Sequence, residues 1–154
     1  MTCCFFGHKD TPETIREGLE QTVRDLLHED PAAEFLVGNQ GHFDWMVYYL
    51  LKRLKPEFPN MEYHIVLAYL PGKKEESPVY EFGETLYPDG LESAPKRFAI
   101  SKRNDWMLKE SDVVVAYVRY GFGGAAQFVE KAVKRKMRVI NLCEDQNGNS
   151  KSNN

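Results

Sequence analysis

Several features that would mark a membrane or secreted protein are missing from the 154-residue sequence. No apolar run approaches the roughly 20 residues needed to cross a bilayer, so we expect no membrane partner. The N-terminus has no basic segment followed by an apolar one, which argues against a secretory signal peptide. The three cysteines are too few and too irregularly spaced for a disulfide scaffold, and we expect reduced, partly buried thiols in a cytoplasmic protein.

Excess positive charge is missing as well. Twenty lysines and arginines against 23 aspartates and glutamates give a formal net charge of −3. This balance argues against nucleic acid as a partner, although it does not exclude a local basic pocket.

The cysteines and histidines also lack the spacing that is typical of metal ligands. A zinc site formed by Cys3, Cys4, His8 and Cys143 would lack any CxxC pair, and we expect neither a metal nor a cofactor.

The length and composition are those of one globular domain. Hydrophobic residues make up 42% and charged residues 28% of the chain, an ordinary balance for a folded protein. We expect a single domain over residues 1–145 and a polar, disordered tail over residues 146–154.

Hydrophobic periodicity predicts strands that alternate with helices along the chain. The predicted strands are Thr2–Phe6, Glu34–Val37, Tyr63–Tyr69, Asp112–Val118 and Arg138–Leu142. The predicted helices run from about Pro12 to Glu29, from Phe43 to Lys55, from Asn104 to Glu110 with a cap at Ser101 or nearby, and from Ala125 to Lys136. This alternation predicts an α/β fold with a mostly parallel sheet of about five strands.

The long connection at residues 70–98 does not fit this regular pattern. It holds four prolines and the aromatic residues Tyr80, Phe82 and Tyr87, without clear periodicity. Connections of this length are usually binding loops, lids or disordered segments. Because the aromatic residues argue against disorder, we predict an ordered flap near the ligand site.

Glycines follow the clearest predicted strand, where ligands bind in parallel sheets. The segment contains Gly121, Gly123 and Gly124, and the next helix adds Ala125 and Gln127. Glycines at such a junction let backbone N–H groups approach an anion, and the positive end of the helix favours phosphate. The alternative is a turn that only packs the helix against the strand. The spacing does not match the GxGxxG pattern of dinucleotide-binding proteins.

Two other strand ends carry candidate ligand-binding residues. Gly7 and His8 follow the first predicted strand, and Gly38, Asn39 and Asp44 follow the second. His8 could contact a ligand or serve as a structural hydrogen-bonding group. Asp44 could cap its helix or bind a ribose or a base.

Two charged residues are candidates for chemistry. Arg103 precedes the clearest strand, and its guanidinium could hold a phosphate or carboxylate with two hydrogen bonds. The alternative is a solvated arginine at a helix start. Glu130 could face the pocket and act on a ribose, or it could form an exposed i,i+4 pair with Lys134.

The segment from Ile100 to Glu130 resembles the central signature of the SLOG superfamily, which includes the Lonely Guy (LOG) phosphoribohydrolases and the DprA-like and YpsA-like proteins. LOG enzymes carry Arg-Lys-x-x-Met, then Ser-Asp and an apolar strand, then Pro-Gly-Gly-x-Gly-Thr-x-x-Glu. The corresponding residues here are Arg103-Asn104-Asp105-Trp106-Met107, Ser111-Asp112 and Gly123-Gly124-Ala125-Ala126-Gln127-Phe128-Val129-Glu130. The spacings within and between these motifs agree, and the resemblance covers most of residues 2–142 outside residues 69–98.

The resemblance implies a Rossmann-like three-layer sandwich and a homodimer or larger homo-oligomer. It also implies that Arg103 and Glu130 match the LOG catalytic pair, and that Gly123 and Gly124 match the phosphate loop.

Three departures from the LOG motif bear on function. Asn104 replaces the lysine, Ala126 replaces the third glycine, and Gln127 replaces the threonine that contacts phosphate. Losing a cation and a hydroxyl favours a larger or differently charged nucleotide-like ligand. With these departures, the resemblance implies a protein that binds a nucleotide or nucleotide derivative. The alternative is a LOG-type phosphoribohydrolase that cleaves the N-glycosidic bond of a nucleoside monophosphate.

Overall fold

The computed structural model describes residues 1–70 and 80–143. Within these ranges, six strands form one all-parallel sheet: β1 (Thr2–Gly7), β2 (Glu34–Val37), β3 (Glu62–Val66), β4 (Thr85–Leu86), β5 (Val113–Tyr117) and β6 (Arg138–Asn141). The α-helices that flank it are α1 (Arg16–Glu29), α2 (His42–Leu54), α3 (Ala99–Lys109) and α4 (Gly124–Lys134). The fold is the predicted Rossmann-like three-layer α/β sandwich, with one strand more than expected.

The strand order is β4-β3-β2-β1-β5-β6, which places β1 at the centre. From β1 the chain builds the sheet outward through β2, β3 and β4. It then returns to the other side of β1 to add β5 and β6. The order thus reverses at β1, and such a reversal opens a crevice at the carboxyl ends of the strands, where ligands bind in α/β proteins.

Two apolar layers cover the faces of the sheet, because successive side chains along a strand point to opposite faces. Cys3 lies in the layer that contains Leu19 of α1 and the inner face of α2. Cys4 lies in the other layer, with Met107 of α3 and Phe128 of α4. Both cysteines are 0% exposed. Burial raises the pKa of both thiols, that of Cys4 to about 12.

The largest boundary errors occur where helices begin. Helix α3 starts at Ala99, five residues before the predicted start at Asn104. Its N-cap is Phe98 rather than Ser101, and no side chain caps it, because a short 3₁₀ turn leads directly into the helix. Arg103 is therefore inside α3 and not ahead of it. Helix α1 likewise begins at Arg16, after a separate 3₁₀ turn that follows Pro12.

The described part of the predicted flap, residues 80–98, is anchored by a buried carboxylate. The side chain of Glu84 accepts hydrogen bonds from the hydroxyls of Tyr48 and Tyr63 and from the backbone N–H of Glu81. Burial alone would raise the pKa of Glu84, but these hydrogen bonds outweigh it and hold the pKa below its ordinary value. This anchor places Thr85 and Leu86 against β3, where they form the unpredicted strand β4.

Parts of two predictions lie outside the described residues: positions 71–79 of the flap and the polar tail at 146–154. Across residues 1–70 and 80–143, none of the helices combines the length and the apolar character needed to cross a membrane.

Candidate functional site

A cavity of about 410 Å³ lies where the strand order reverses. Its lining includes Gly7 and His8 after β1, Gly38 and Asp44 after β2, and Arg103 of α3. The first residues of α4 complete it. Its volume falls in the range of about 300–1,000 Å³ that is usual for small-molecule sites. Cavities of up to 670 Å³ occur elsewhere, but this one combines the reversal of strand order with buried charged side chains.

The guanidinium of Arg103 is the principal cation of the cavity. Arg103 is 2% exposed, so it is not the solvated arginine of the alternative interpretation. Its Nη1 donates to the backbone oxygen of Val66 at 2.8 Å and to Asn39 Oδ1 at 3.4 Å, and its Nε donates to Asn104 Oδ1 at 2.8 Å. Burial lowers the pKa of Arg103 from its ordinary value, and the charge of Asp44 opposes this shift.

One nitrogen of this guanidinium is left for a ligand. Nη2 of Arg103 makes no hydrogen bond with any residue that the structure describes. No fully buried side-chain N or O atom in the described ranges lacks a hydrogen-bond partner. Nη2 must therefore have accessible surface, and Arg103 is one of the residues that line the cavity.

Asp44 is the buried carboxylate of the same cavity. It is 8% exposed, and its Oδ2 accepts a hydrogen bond of 2.8 Å from the backbone N–H of Gln40. This contact ties the first turn of α2 to the loop before it. The N-cap of α2 is Gly41 and no side chain makes a cap hydrogen bond there, so the predicted capping role of Asp44 is wrong. Burial raises its pKa to about 6, against the opposing effects of the Gln40 hydrogen bond and the charge of Arg103.

The N-terminus of α4 is the second electropositive feature of the cavity. Its N-cap is Gly123, whose φ of +96° suits glycine, and no side chain caps the helix. The first turn of α4 contains no acidic residue. The backbone N–H groups of Gly124, Ala125 and Ala126 have no intrahelical partners, because the first N–H groups of any helix lack them. Gly123, Gly124 and Ala125 line the cavity, where these groups can meet an anion.

His8 holds the loop that leads into α4. Its Nε2 accepts hydrogen bonds from the backbone N–H groups of Arg119 at 3.0 Å and of Tyr120 at 3.3 Å. Because Nε2 accepts, the ring proton must lie on Nδ1. The structural role considered for His8 is thus present in the fold, and the residue also lines the cavity.

Two glycines permit the close packing on which the cavity depends. A Cβ atom at Gly7 would lie only 2.2 Å from Cγ of Phe43, so a side chain there would push α2 away from β1. A Cβ atom at Gly38 would lie 3.0 Å from both the Arg103 guanidinium and Asp44 Oδ2. Gly38 therefore lets the two buried charges approach the same backbone segment from either side.

Four predicted site residues do not line this cavity. Gly121 and Gln127 are exposed and absent from its lining. Glu130 forms the exposed i,i+4 pair with Lys134, with an Nζ–Oε1 distance of 3.1 Å. Glu130 is six residues beyond Gly124, where α4 begins, which places it about 9 Å further along the helix axis at 1.5 Å per residue. Asn39 contacts the cavity only indirectly, through its hydrogen bond to Arg103.

Some lining residues were missed as ligand contacts. Tyr120 and Phe122 stack on each other with ring centroids 5.4 Å apart, and Phe122 is 74% exposed at the cavity. Their position among the glycines that follow the Asp112–Val118 run was the available signal. Gln40 was missed because nothing in the sequence separates it from its neighbours. Tyr80 of the described flap does not line the cavity. Burial raises the pKa of Tyr80 to about 12, and the negative charge of Asp44 adds to this rise.

In residues 1–70 and 80–143 no group of three or more His, Cys, Asp or Glu is placed to hold a metal ion. The chain matches no protein-family model, and it matches none of the curated proteins with which it was compared.

Proposed function

We propose that this protein binds a nucleotide or a nucleotide derivative in the cavity at the carboxyl ends of its strands. The observation that carries the proposal is the free Nη2 of the buried Arg103, which shares one cavity with the uncapped N-terminus of α4. A cation with one unused donor and a set of unpaired backbone N–H groups together favour an anion with several oxygens, such as phosphate.

The aromatic pair at the cavity supports the nucleotide part of the proposal. Tyr120 and Phe122 present exposed ring faces beside the start of α4. A base that stacks on such a face contributes about 1–3 kcal/mol in single-stranded nucleic-acid binders. A phosphate held at the helix N-terminus would bring its base within reach of these rings.

Binding is better supported than the hydrolase alternative. A LOG-type reaction would use Glu130 together with Arg103, and Glu130 lies outside the lining of the cavity and is paired with Lys134. The carboxylates that do line it are Asp10 and Asp44. Membership of the SLOG superfamily is part of the proposal and rests on the motif spacing. A homo-oligomer and a cytoplasmic location stay predictions.

The proposal is tested with a panel of nucleosides and their 5′-phosphates, with binding measured by calorimetry and thermal stabilisation. We expect Arg103→Gln to weaken binding of the phosphates by at least about tenfold, since hydrogen bonds to charged groups contribute about 1.5–3 kcal/mol. Binding of the nucleosides should change far less. Lys102→Gln is the matched control, because it removes an exposed cation from the same helix.

Equal losses for nucleosides and phosphates would mean that Arg103 is only structural. If no phosphorylated compound binds the unmodified protein, the proposed function is wrong. Release of free base that depends on Glu130 would favour the hydrolase instead.

A further inference from the structure

The two helix N-termini beside this cavity differ in charge. Helix α4 has no acidic residue in its first turn, whereas α2 carries Asp44 there. The carboxylate of Asp44 already balances the positive end of α2. One part of the cavity is therefore suited to an anion, and the part beside α2 presents a hydrogen-bond acceptor.

Asp44 has one carboxylate oxygen left for a ligand. Oδ2 accepts from the backbone N–H of Gln40, while Oδ1 has no hydrogen bond with any residue in the described ranges. Fully buried side-chain oxygens without a partner do not occur in that part of the chain, so Oδ1 has accessible surface. Asp44 lines the cavity and is otherwise more than nine-tenths buried, so the accessible oxygen faces it.

Asp44 and Arg103 lie against the same residue, Gly38, where a side chain would be. Asp44 Oδ2 and Arg103 Nη1 each lie 3.0 Å from the position of a Cβ atom at Gly38. A ligand group that donates to Asp44 must therefore lie close to an anion bound by Arg103. In a nucleotide, the ribose hydroxyls are the hydrogen-bond donors nearest the phosphate, and the donors of the base lie further away.

We propose that Asp44 is the specificity-determining residue of the site and that its Oδ1 accepts a hydrogen bond from a ribose hydroxyl of a phosphorylated ligand. This inference rests on the proposed function and names the class of ligand: phosphorylated compounds with a free ribose hydroxyl. An analogue without the hydroxyl would leave this buried acceptor without a hydrogen-bond partner, and it would therefore bind much more weakly.

The test compares four ribonucleoside 5′-monophosphates with their 2′-deoxy and 3′-deoxy forms and with inorganic phosphate, by calorimetry at pH 8. In the unmodified protein, removal of the recognised hydroxyl should weaken binding at least about tenfold. Asp44→Asn should reduce this preference to less than about threefold, and it should not weaken the binding of inorganic phosphate, because it removes a negative charge beside the anion. Asp89→Asn, which alters an exposed carboxylate outside the lining of this cavity, should keep the preference.

Equal binding of the ribose and both deoxy forms by the unmodified protein would overturn the inference while the proposed function stands. A preference that survives in Asp44→Asn would do the same. If neither inorganic phosphate nor any monophosphate binds the unmodified protein, the proposed function fails and the inference fails with it. Circular dichroism of each variant shows whether it is folded.

Discussion

Replacing Asp44 by asparagine should make the unliganded protein more stable at neutral and alkaline pH. The pKa of Asp44 rises from its ordinary 3.8 to about 6 in the folded chain, chiefly because the carboxylate is buried. A raised pKa means that the folded state holds the proton more tightly than the unfolded state does. The free energy of unfolding contributed by this group therefore falls as pH rises between about 4 and 6.

The size of the effect follows from the shift. A change of about two pKa units corresponds to about 3 kcal/mol at 1.36 kcal/mol per unit. Above pH 7 Asp44 is ionised, and the unmodified protein bears the whole cost of burying its charge. Asparagine keeps an oxygen that can accept from the Gln40 N–H, and it carries no charge. We expect Asp44→Asn to raise the free energy of unfolding by up to about 3 kcal/mol at pH 8 and by almost nothing at pH 4.

Urea denaturation of both proteins at pH 4, 5, 6 and 8 measures this difference. Other carboxylates affect both proteins equally and cancel in the comparison. Asp10→Asn is the control, because Asp10 is exposed and should give no comparable gain. An Asp44→Asn protein that is less stable than the unmodified one at pH 8 would refute the reasoning. It would mean that the carboxylate stabilises the fold through its hydrogen bond with the Gln40 N–H and its attraction to the charge of Arg103.

Two further predictions concern the scaffold. Gly7→Ala should lower the free energy of unfolding by about 1–3 kcal/mol, because the new Cβ would overlap the Phe43 ring. Gly18→Ala, in open space on α1, should instead raise it by about 0.5–1 kcal/mol, and chemical denaturation compares the two. Glu84→Gln should destabilise the protein by about 1–3 kcal/mol at pH 7 and by less at pH 4, because a lowered pKa gives stability that is lost as the carboxylate protonates. Denaturation curves that show the same loss at both pH values would contradict this account of Glu84.

The architecture could be predicted from the sequence because strands buried on both faces are continuous apolar runs. Val113–Tyr117 is such a run, and it was recognised nearly to its ends. Strand β4 could not be found in this way. It has two residues, and it forms because the hydrogen bonds of Glu84 hold the chain against β3. Such a tertiary contact leaves no hydrophobic periodicity in the sequence.

The site was predicted in outline, since the ends of parallel strands meet at one edge of the sheet. Gly7, His8, Gly38, Asp44 and Arg103 do come together there. What residue spacing could not supply was whether Glu130 would face the cavity. In the structure Glu130 is exposed, lies outside the lining of the cavity and pairs with Lys134, and the spacing of the motif does not distinguish this placement from one at the cavity.

The adjacent cysteines of the central strand offer a way to observe how the molecule opens. Cys3 and Cys4 lie on opposite sides of the sheet, each sealed in a different layer. A thiol reagent can reach either one only after its own layer separates from the strands. Two variants that each retain one of these thiols would thus report, through their labelling rates, whether the α1–α2 layer and the α3–α4 layer come apart together or in succession.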